Sequence, residues 1–554
     1  MSSSVTLTFS DGQQMIIEKG TLLRDVLAEK CKPSDQYPVI AAKVNNKLYS
    51  LDYYIDESCK IEPITFLNKE GKEIYRRSTS LILRQAAWEL YRNTRLVVGH
   101  SLGNGYYYDY YSDTPVSERT CEALKAKMKE IIQRNIPITR TTLPIDEARS
   151  LLENSGQIDK VRLVRHIPVD KVGICRMADA IDLDNGPHVP YSGCIKTFDL
   201  RLHYPGFILR FPFTDDYRVE LDLPPQKKLF QVYQESKSWA KILEVNNVGR
   251  LNDIIGSGDV SDFIKVSEVF HDYKFGEIAS EISKKRDSVR VILIAGPSSS
   301  GKTTFSKRLS IHLRVNGLRP IALSLDDYFV NREDCPRDET GDYDFESIDA
   351  LDVPLFNEHL KALLEGRVIN MPKFCFEKGC RETSSKLMSI DESQMIIIEG
   401  IHGLNPRLTE AIADENKFRI YVSALTSLNI DDHNRIPTTD TRIIRRIVRD
   451  HKFRSYDVRA TIQRWASVRR GEDKNIFPYQ ENADVMFNSA QAYELSVLKI
   501  YAEPLLKSIQ RNEPEYNEAK RLRNFLRLFK SLDPDEVPPC SILREFIGNS
   551  AFKY

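Results

Sequence analysis

Residues 296–303 read Gly296-Pro297-Ser298-Ser299-Ser300-Gly301-Lys302-Thr303, a complete GxxxxGK[ST] pattern. Glycines at its two ends let the backbone curl so that successive N–H groups point at phosphate oxygens, and the helix that should follow adds its dipole. Lys302 would then reach β- and γ-phosphates, and the Thr303 hydroxyl would ligate Mg²⁺. With Thr304 in the first helical turn, these nine residues form the expected site for ATP. A Gly/Ser turn matching by accident is the alternative. The apolar run 291–295 before the loop and the helical spacing of 304–315 after it argue against that.

Two carboxylates fall where apolar runs end, the edge at which open α/β sheets bind ligands. Asp326 follows 321–325, and Glu399 follows 395–398. Phosphoryl transfer needs one carboxylate to orient the attacking hydroxyl and another to hold Mg²⁺. Asp326 suits the first role and Glu399, with Thr303, the second; simple capping of loops is the other reading. Arg442, Arg445, Arg446 and Arg449 share one face of a helix over 440–450. Such a stripe can close over polyphosphate and neutralise charge in the transition state, or it can be an ordinary solvated face.

The elements that must position these residues alternate strand and helix beyond about residue 289, which argues a parallel sheet covered on both faces. Strands are expected at 291–295, 321–325, 395–398, 418–422 and 483–487. Residues 1–65 read as a small β-grasp unit, with strands at 5–9 and 14–18 around an Asp11-Gly12 turn, a helix over 21–30, and strands at 39–44 and 48–51. Helices are expected at 80–91 and 117–135. A helical connector spans 226–288, with breaks at Gly249 and at Gly256–Gly258. The fold class is therefore multidomain α/β: units at 1–65, 66–225, 226–288 and 289–510, and a helical tail at 511–554.

At 554 residues the chain exceeds one hydrophobic core. It is 41% hydrophobic and 29% charged, ordinary for globular protein, and Lys plus Arg equals Asp plus Glu at 79 each. Neutrality gives no global reason to expect nucleic acid or membrane as partner. Apolar runs fall far short of the ~18 residues that span a bilayer. No basic-then-apolar segment opens the chain, and nine scattered cysteines fit reduced thiols in a cytoplasmic protein.

Together these residues resemble the uridine–cytidine kinase and phosphoribulokinase group of P-loop kinases over roughly 289–490. Ser324-Leu325-Asp326-Asp327-Tyr328-Phe329 resembles the segment bearing the catalytic aspartate. Residues 345–352 resemble the stretch near the nucleoside, and Met371-Pro372-Lys373-Phe374-Cys375-Phe376 the wall of the base pocket. The resemblance implies a nucleoside-like acceptor contacted by Asp326, Tyr328, Glu346, Phe374, Phe376 and Arg381. Departures fall at the acceptor: Glu346, Phe374 and Gly379 stand where the family carries aspartate, tyrosine and histidine. Lost polar groups change substrate preference steeply, so another sugar or polyol stays open.

Residues 1–65 resemble a TGS domain, and 66–225 the editing domain of threonyl-tRNA synthetase, through residues 104–109 and 186–190. Ser80, Arg84 and Asp184 replace three of that domain's four site residues and only His188 remains, so the editing chemistry is expected to be lost. The order of units resembles long uridine-kinase-like proteins. An ATP-dependent switch contacting RNA or a ribosomal partner is the alternative class, and homo-oligomerisation stays open.

Overall fold

The structure, a computed structural model, describes residues 4–28, 36–221, 224–339, 341–375, 378–382 and 386–554. The N-terminal sheet runs in the order Gln14–Glu18, Ser4–Phe9, Cys59–Ile64, Ala41–Val44, Lys47–Tyr49. Its central pair, Ser4–Phe9 and Cys59–Ile64, is parallel and the rest antiparallel. Val5 and Leu7 alternate inward from the first strand onto Leu23, Val44 and Ile61. Only Leu23–Val26 is helical where a longer helix is expected, because Thr21–Leu22 pairs with Tyr54–Ile55 as a strand; residues 29–30 of that expected helix lie outside the described residues.

The helix Lys69–Leu90 starts well before the expected residue 80. Ile74, Ser78, Leu81 and Gln85 bury one stripe at spacings of three and four. It shares a core with Glu118–Gln133, a helix started by a capping box between Ser117 and Thr120, and with an antiparallel sheet. That sheet runs Asp199–His203, Gly206–Arg210, Gly105–Tyr111, Arg95–Leu102. A second, three-stranded sheet is built from Thr139–Pro144, Lys171–Met177 and Ala180–Leu183.

The connector is three helices, Lys227–Ile242, Val248–Ser257 and Val260–Lys284. Gly249 lies inside the second rather than breaking it. A Cβ there would stand 2.9 Å from the Leu163 nitrogen, so glycine serves a close helix contact.

The C-terminal sheet is wholly parallel, in the order Arg319–Ser324, Gln394–Glu399, Val291–Ala295, Lys417–Ser423, Val485–Asn488. All five residues of Val291–Ala295 are buried. Ile292 and Ile294 point into one core, with Phe275, Phe305 and Ile443, while Val291 and Leu293 point into another, with Phe356 and Leu360. A strand buried on both faces must be apolar at every position, which is why it reads as a continuous run. Residues 511–554 do not trail. Leu522 and Leu526 of the helix Tyr516–Leu526, with Ile542 and Phe546, are integral to the first of these cores.

Candidate active site

The phosphate loop leaves the end of Val291–Ala295 and enters the helix Lys302–Val315. A Cβ on Gly296 would stand 1.9 Å from the Val422 carbonyl oxygen, and Gly301 has φ +87°, so both positions demand glycine. The loop's outward carbonyls are held from behind. Arg442 donates to the Ser298 oxygen at 3.1 Å, Arg445 to that of Ser299 at 3.3 Å, and the Ser489 hydroxyl to that of Ser300 at 2.5 Å. Arg446 donates to Ser298 Oγ at 2.9 Å.

The Lys302 ammonium rests on the carbonyl oxygens of Gly296 and Pro297, at 2.9 and 3.2 Å. Burial lowers its pKa although Glu399, Glu545, Asp326 and Glu346 all act to raise it. Four carboxylates around one lysine make a site in need of further positive charge. Thr303 Oγ1 donates to Glu399 Oε1 at 2.9 Å, and Glu399 is pushed up to about 7 by burial and by Asp326. Two hard oxygens side by side, with a carboxylate reluctant to ionise unaided, fit a magnesium ion. Asp326 is exposed on a short 3₁₀ turn after Arg319–Ser324, where Ser324 Oγ accepts from its N–H at 3.3 Å. Ser324 and Glu399 stand side by side in the register of their strands, so both acids occupy one edge of the sheet.

Two groups near the loop were not among the expected site residues. Glu472 accepts from the Ser298 N–H at 3.1 Å while paired with Arg442 and Arg469. Glu545, on the short helix Arg544–Ile547, accepts from both the N–H and the hydroxyl of Thr304, at 2.9 and 2.8 Å. The neighbours of Glu472 carry no signature; Glu545 lies in 541–548, which resembles the ending of long uridine-kinase-like proteins, but only the tertiary approach places it at the loop.

The arginine stripe needs correction. Arg442 and Arg445 are buried, 1% and 0% exposed, and paired with Glu472 and Glu494. Guanidiniums committed in this way brace the loop from behind and cannot swing over phosphates. Arg446 and Arg449, both paired with Asp450, remain nearer the solvent. Tyr328 is also corrected: it is fully buried against Phe356, with its hydroxyl 3.1 Å from His359 Nδ1, and belongs to the core rather than to an acceptor pocket.

Glu346 lies beside Arg446 and Lys302, with Oε2 buried and without a hydrogen-bond partner. Arg381 pairs with Asp352 at 3.1 Å. Phe374 is half-buried, its N–H donating to Asp327 at 3.4 Å and its ring 5.6 Å from that of Phe329. Phe376 lies outside the described residues.

In the second unit, His188 is held neutral, down to about 3, by burial and by Arg77. Its Nδ1 is 3.5 Å from Cys175 Sγ, and burial pushes that thiol up. These directions oppose a thiolate–imidazolium pair. Ser80 accepts from the Tyr108 hydroxyl, Arg84 pairs with Asp182, and Asp184 with Arg140. Asp182, Asp431 and His433 gather as metal ligands would, but the buried Lys160 ammonium sits among them at 3.3, 3.3 and 2.6 Å and is their cation.

A five-stranded parallel sheet with a glycine-bounded phosphate loop at its central strand defines a P-loop protein. Residues 291–496 match the phosphoribulokinase/uridine kinase family. The N-terminal part is similar to threonine–tRNA ligases. It is 34% identical over 197 residues to that of Clostridium kluyveri (35% of this chain, 31% of the relative), and 32% identical over 197 residues to that of Acetivibrio thermocellus. The chain thus spans about a third of the length of these curated relatives. Among solved structures, a fructose transport system kinase from Silicibacter sp. TM1040 shows 18% identity and a TM-score of 0.28, covering 38% of this chain and 98% of that one. A structure described as a possible uridine kinase from Bacillus stearothermophilus shows 21% and 0.25, covering 38% and 100%. No helix among the described residues is long and apolar enough to cross a membrane.

Proposed function

We propose that this protein is an ATP-dependent small-molecule kinase that transfers the γ-phosphate to a hydroxyl of a nucleoside-like acceptor. The observation that carries this reading is the convergence of Lys302, the Thr303–Glu399 pair and exposed Asp326 at one edge of a parallel sheet. The family match over 291–496 supports the kinase class. In this reading the loop N–H groups and Lys302 cradle the phosphates, and Asp326 orients the acceptor hydroxyl and receives its proton. Thr303 and Glu399 would hold magnesium, which would draw charge off the phosphates. Glu346, with its unpartnered oxygen, is a ready acceptor for a substrate hydroxyl.

A sugar or polyol acceptor would use the same phosphoryl machinery. The eight described cysteines are all free, which fits a reducing compartment, and we place the protein in the cytoplasm. Screening nucleosides, sugar phosphates and polyols for acceptor-dependent ADP release tests the reading. Asp326→Asn should abolish transfer of labelled γ-phosphate while sparing ATP binding. Slow ATP hydrolysis that no acceptor stimulates, but that RNA does, would instead favour a switch acting through the N-terminal units.

A further inference from the structure

A cavity of about 1000 Å³ opens where the β-grasp unit, the second unit, the kinase sheet and the helix Tyr516–Leu526 meet. It touches the phosphate loop only at Pro297 and is not lined by Lys302, Asp326 or Glu399. Its size suits a small-molecule site.

Its charge is one-sided. Thirteen Lys and Arg residues line it against seven Asp and Glu, in a chain whose totals are equal. Six of those seven acids are already paired: Glu70 with Lys43, Asp182 with Lys160 and Arg84, Asp184 with Arg140, Asp440 and Glu518 with Arg521, and Asp473 with Arg469. By contrast Lys47, Arg76, Lys171, Arg435, Lys520 and Arg527 form no ion pair among the described residues. Arg76 Nε is buried without a hydrogen-bond partner, as is Nδ1 of His100, a residue only 6% exposed. Burial lowers the pKa of Lys520, and its neighbours Arg523, Arg527 and Lys47 lower it further, so cations from two units crowd one rim. Gathering like charges costs free energy unless an anion offsets it. Aromatic rings are present too: Tyr49, Tyr106 and Phe477 line the cavity, each with a cation over one face, Lys47 at 4.2 Å, Arg435 at 5.2 Å and Arg469 at 5.2 Å.

We propose that this interdomain cavity is a second binding site, separate from the phosphate loop, for a phosphorylated anion of nucleotide size. Unpaired cations meet the phosphates and the aromatic walls a planar base. The site is wired to the loop. Arg442 and Arg469 form part of its wall, and both hold Glu472, whose carboxylate accepts from the Ser298 N–H. This assignment rests on the cavity alone and stands whether or not the loop serves a kinase.

Equilibrium dialysis of the full chain with labelled ATP as probe and inorganic triphosphate as competitor tests it. The wild type should bind two ATP per chain, Lys302→Ala should keep one, and that remaining ATP should be displaced by triphosphate. Lys171→Glu with Arg527→Glu, both exposed positions, should weaken that retained site at least tenfold while leaving the loop site and the thermal unfolding midpoint unchanged. Arg435→Gln alone should weaken it in the same direction. A single site in the wild type, or a second site indifferent to these substitutions, overturns the proposal. So does a single-stranded RNA that binds at least tenfold tighter than ATP and displaces it, which would give the cavity to nucleic acid.

Discussion

Glu346 packs so closely on the helix Val458–Asn475 that a Cβ on Gly471 would stand 2.3 Å from its own. Burial, then Glu472, raises its pKa from 4.5 to about 7, against Arg446 and Lys302. A carboxyl that holds its proton more tightly folded than unfolded loses stability as pH rises from 4.5 to about 7, and the full cost persists above that. Glu346→Gln should therefore raise the unfolding midpoint at pH 8, with the gain shrinking toward pH 4.5; an equal gain at both would sink the idea. The arginines divide by the same logic. Arg445→Ala strands Glu494 in the core and should cost about 3–5 kcal/mol in denaturant unfolding. Arg446→Ala leaves Asp450 with Arg449 and should spare stability while lowering phosphate transfer.

Among the elements, the C-terminal segment 542–547 bears on the loop's helical end. Ile542 presses on Gly301, where a Cβ would meet it at 2.5 Å, and Glu545 engages Thr304, whose N–H faces the phosphate site in a loop of this kind. A carboxylate there competes with polyphosphate for the donor and repels its charge. Glu545→Gln should tighten ATP binding on the order of tenfold, the scale of one charge-assisted hydrogen bond. Calorimetric titration showing equal or weaker binding would rule out competition. The helix Thr438–Phe453 illustrates how far spacing carries. Its arginines do share a face, but burial assigns two of them to bracing and leaves Arg446 and Arg449 nearer the solvent, paired with Asp450.

Across the whole molecule, the loop 429–434 joins the second unit to the kinase sheet. The Val98 N–H donates to the Asp432 carbonyl at 2.8 Å, Asn429 donates to the Val98 carbonyl at 2.6 Å, and Lys160 lies between Asp182 and Asp431. Burial opposes the charge of Lys160, but Asp182, Asp431 and Asp159 more than offset it and raise its pKa. Lys160→Ala should cost about 3–5 kcal/mol in denaturant unfolding, because it leaves buried carboxylates facing each other across the seam. Unchanged stability would show that this lysine does not hold the seam.

What the chain's order of residues determined alone was local: the glycine-bounded loop, the apolar run of the central strand Val291–Ala295, and the acids at the ends of two of the parallel strands. Phosphate binding by backbone needs one short segment, and a strand buried on both faces must be apolar throughout, so both leave a mark that can be read residue by residue. Tertiary structure decided what depends on distant partners. Whether Arg442 closes over a phosphate or braces the loop turns on Glu472, thirty residues on in another helix. Tyr328 left the acceptor pocket because Phe356 and His359 enclose it. Glu472 and most cations of the interdomain cavity, such as Arg76, Lys171 and Lys520, come from segments that carry no motif, and charge acts through space rather than along the chain.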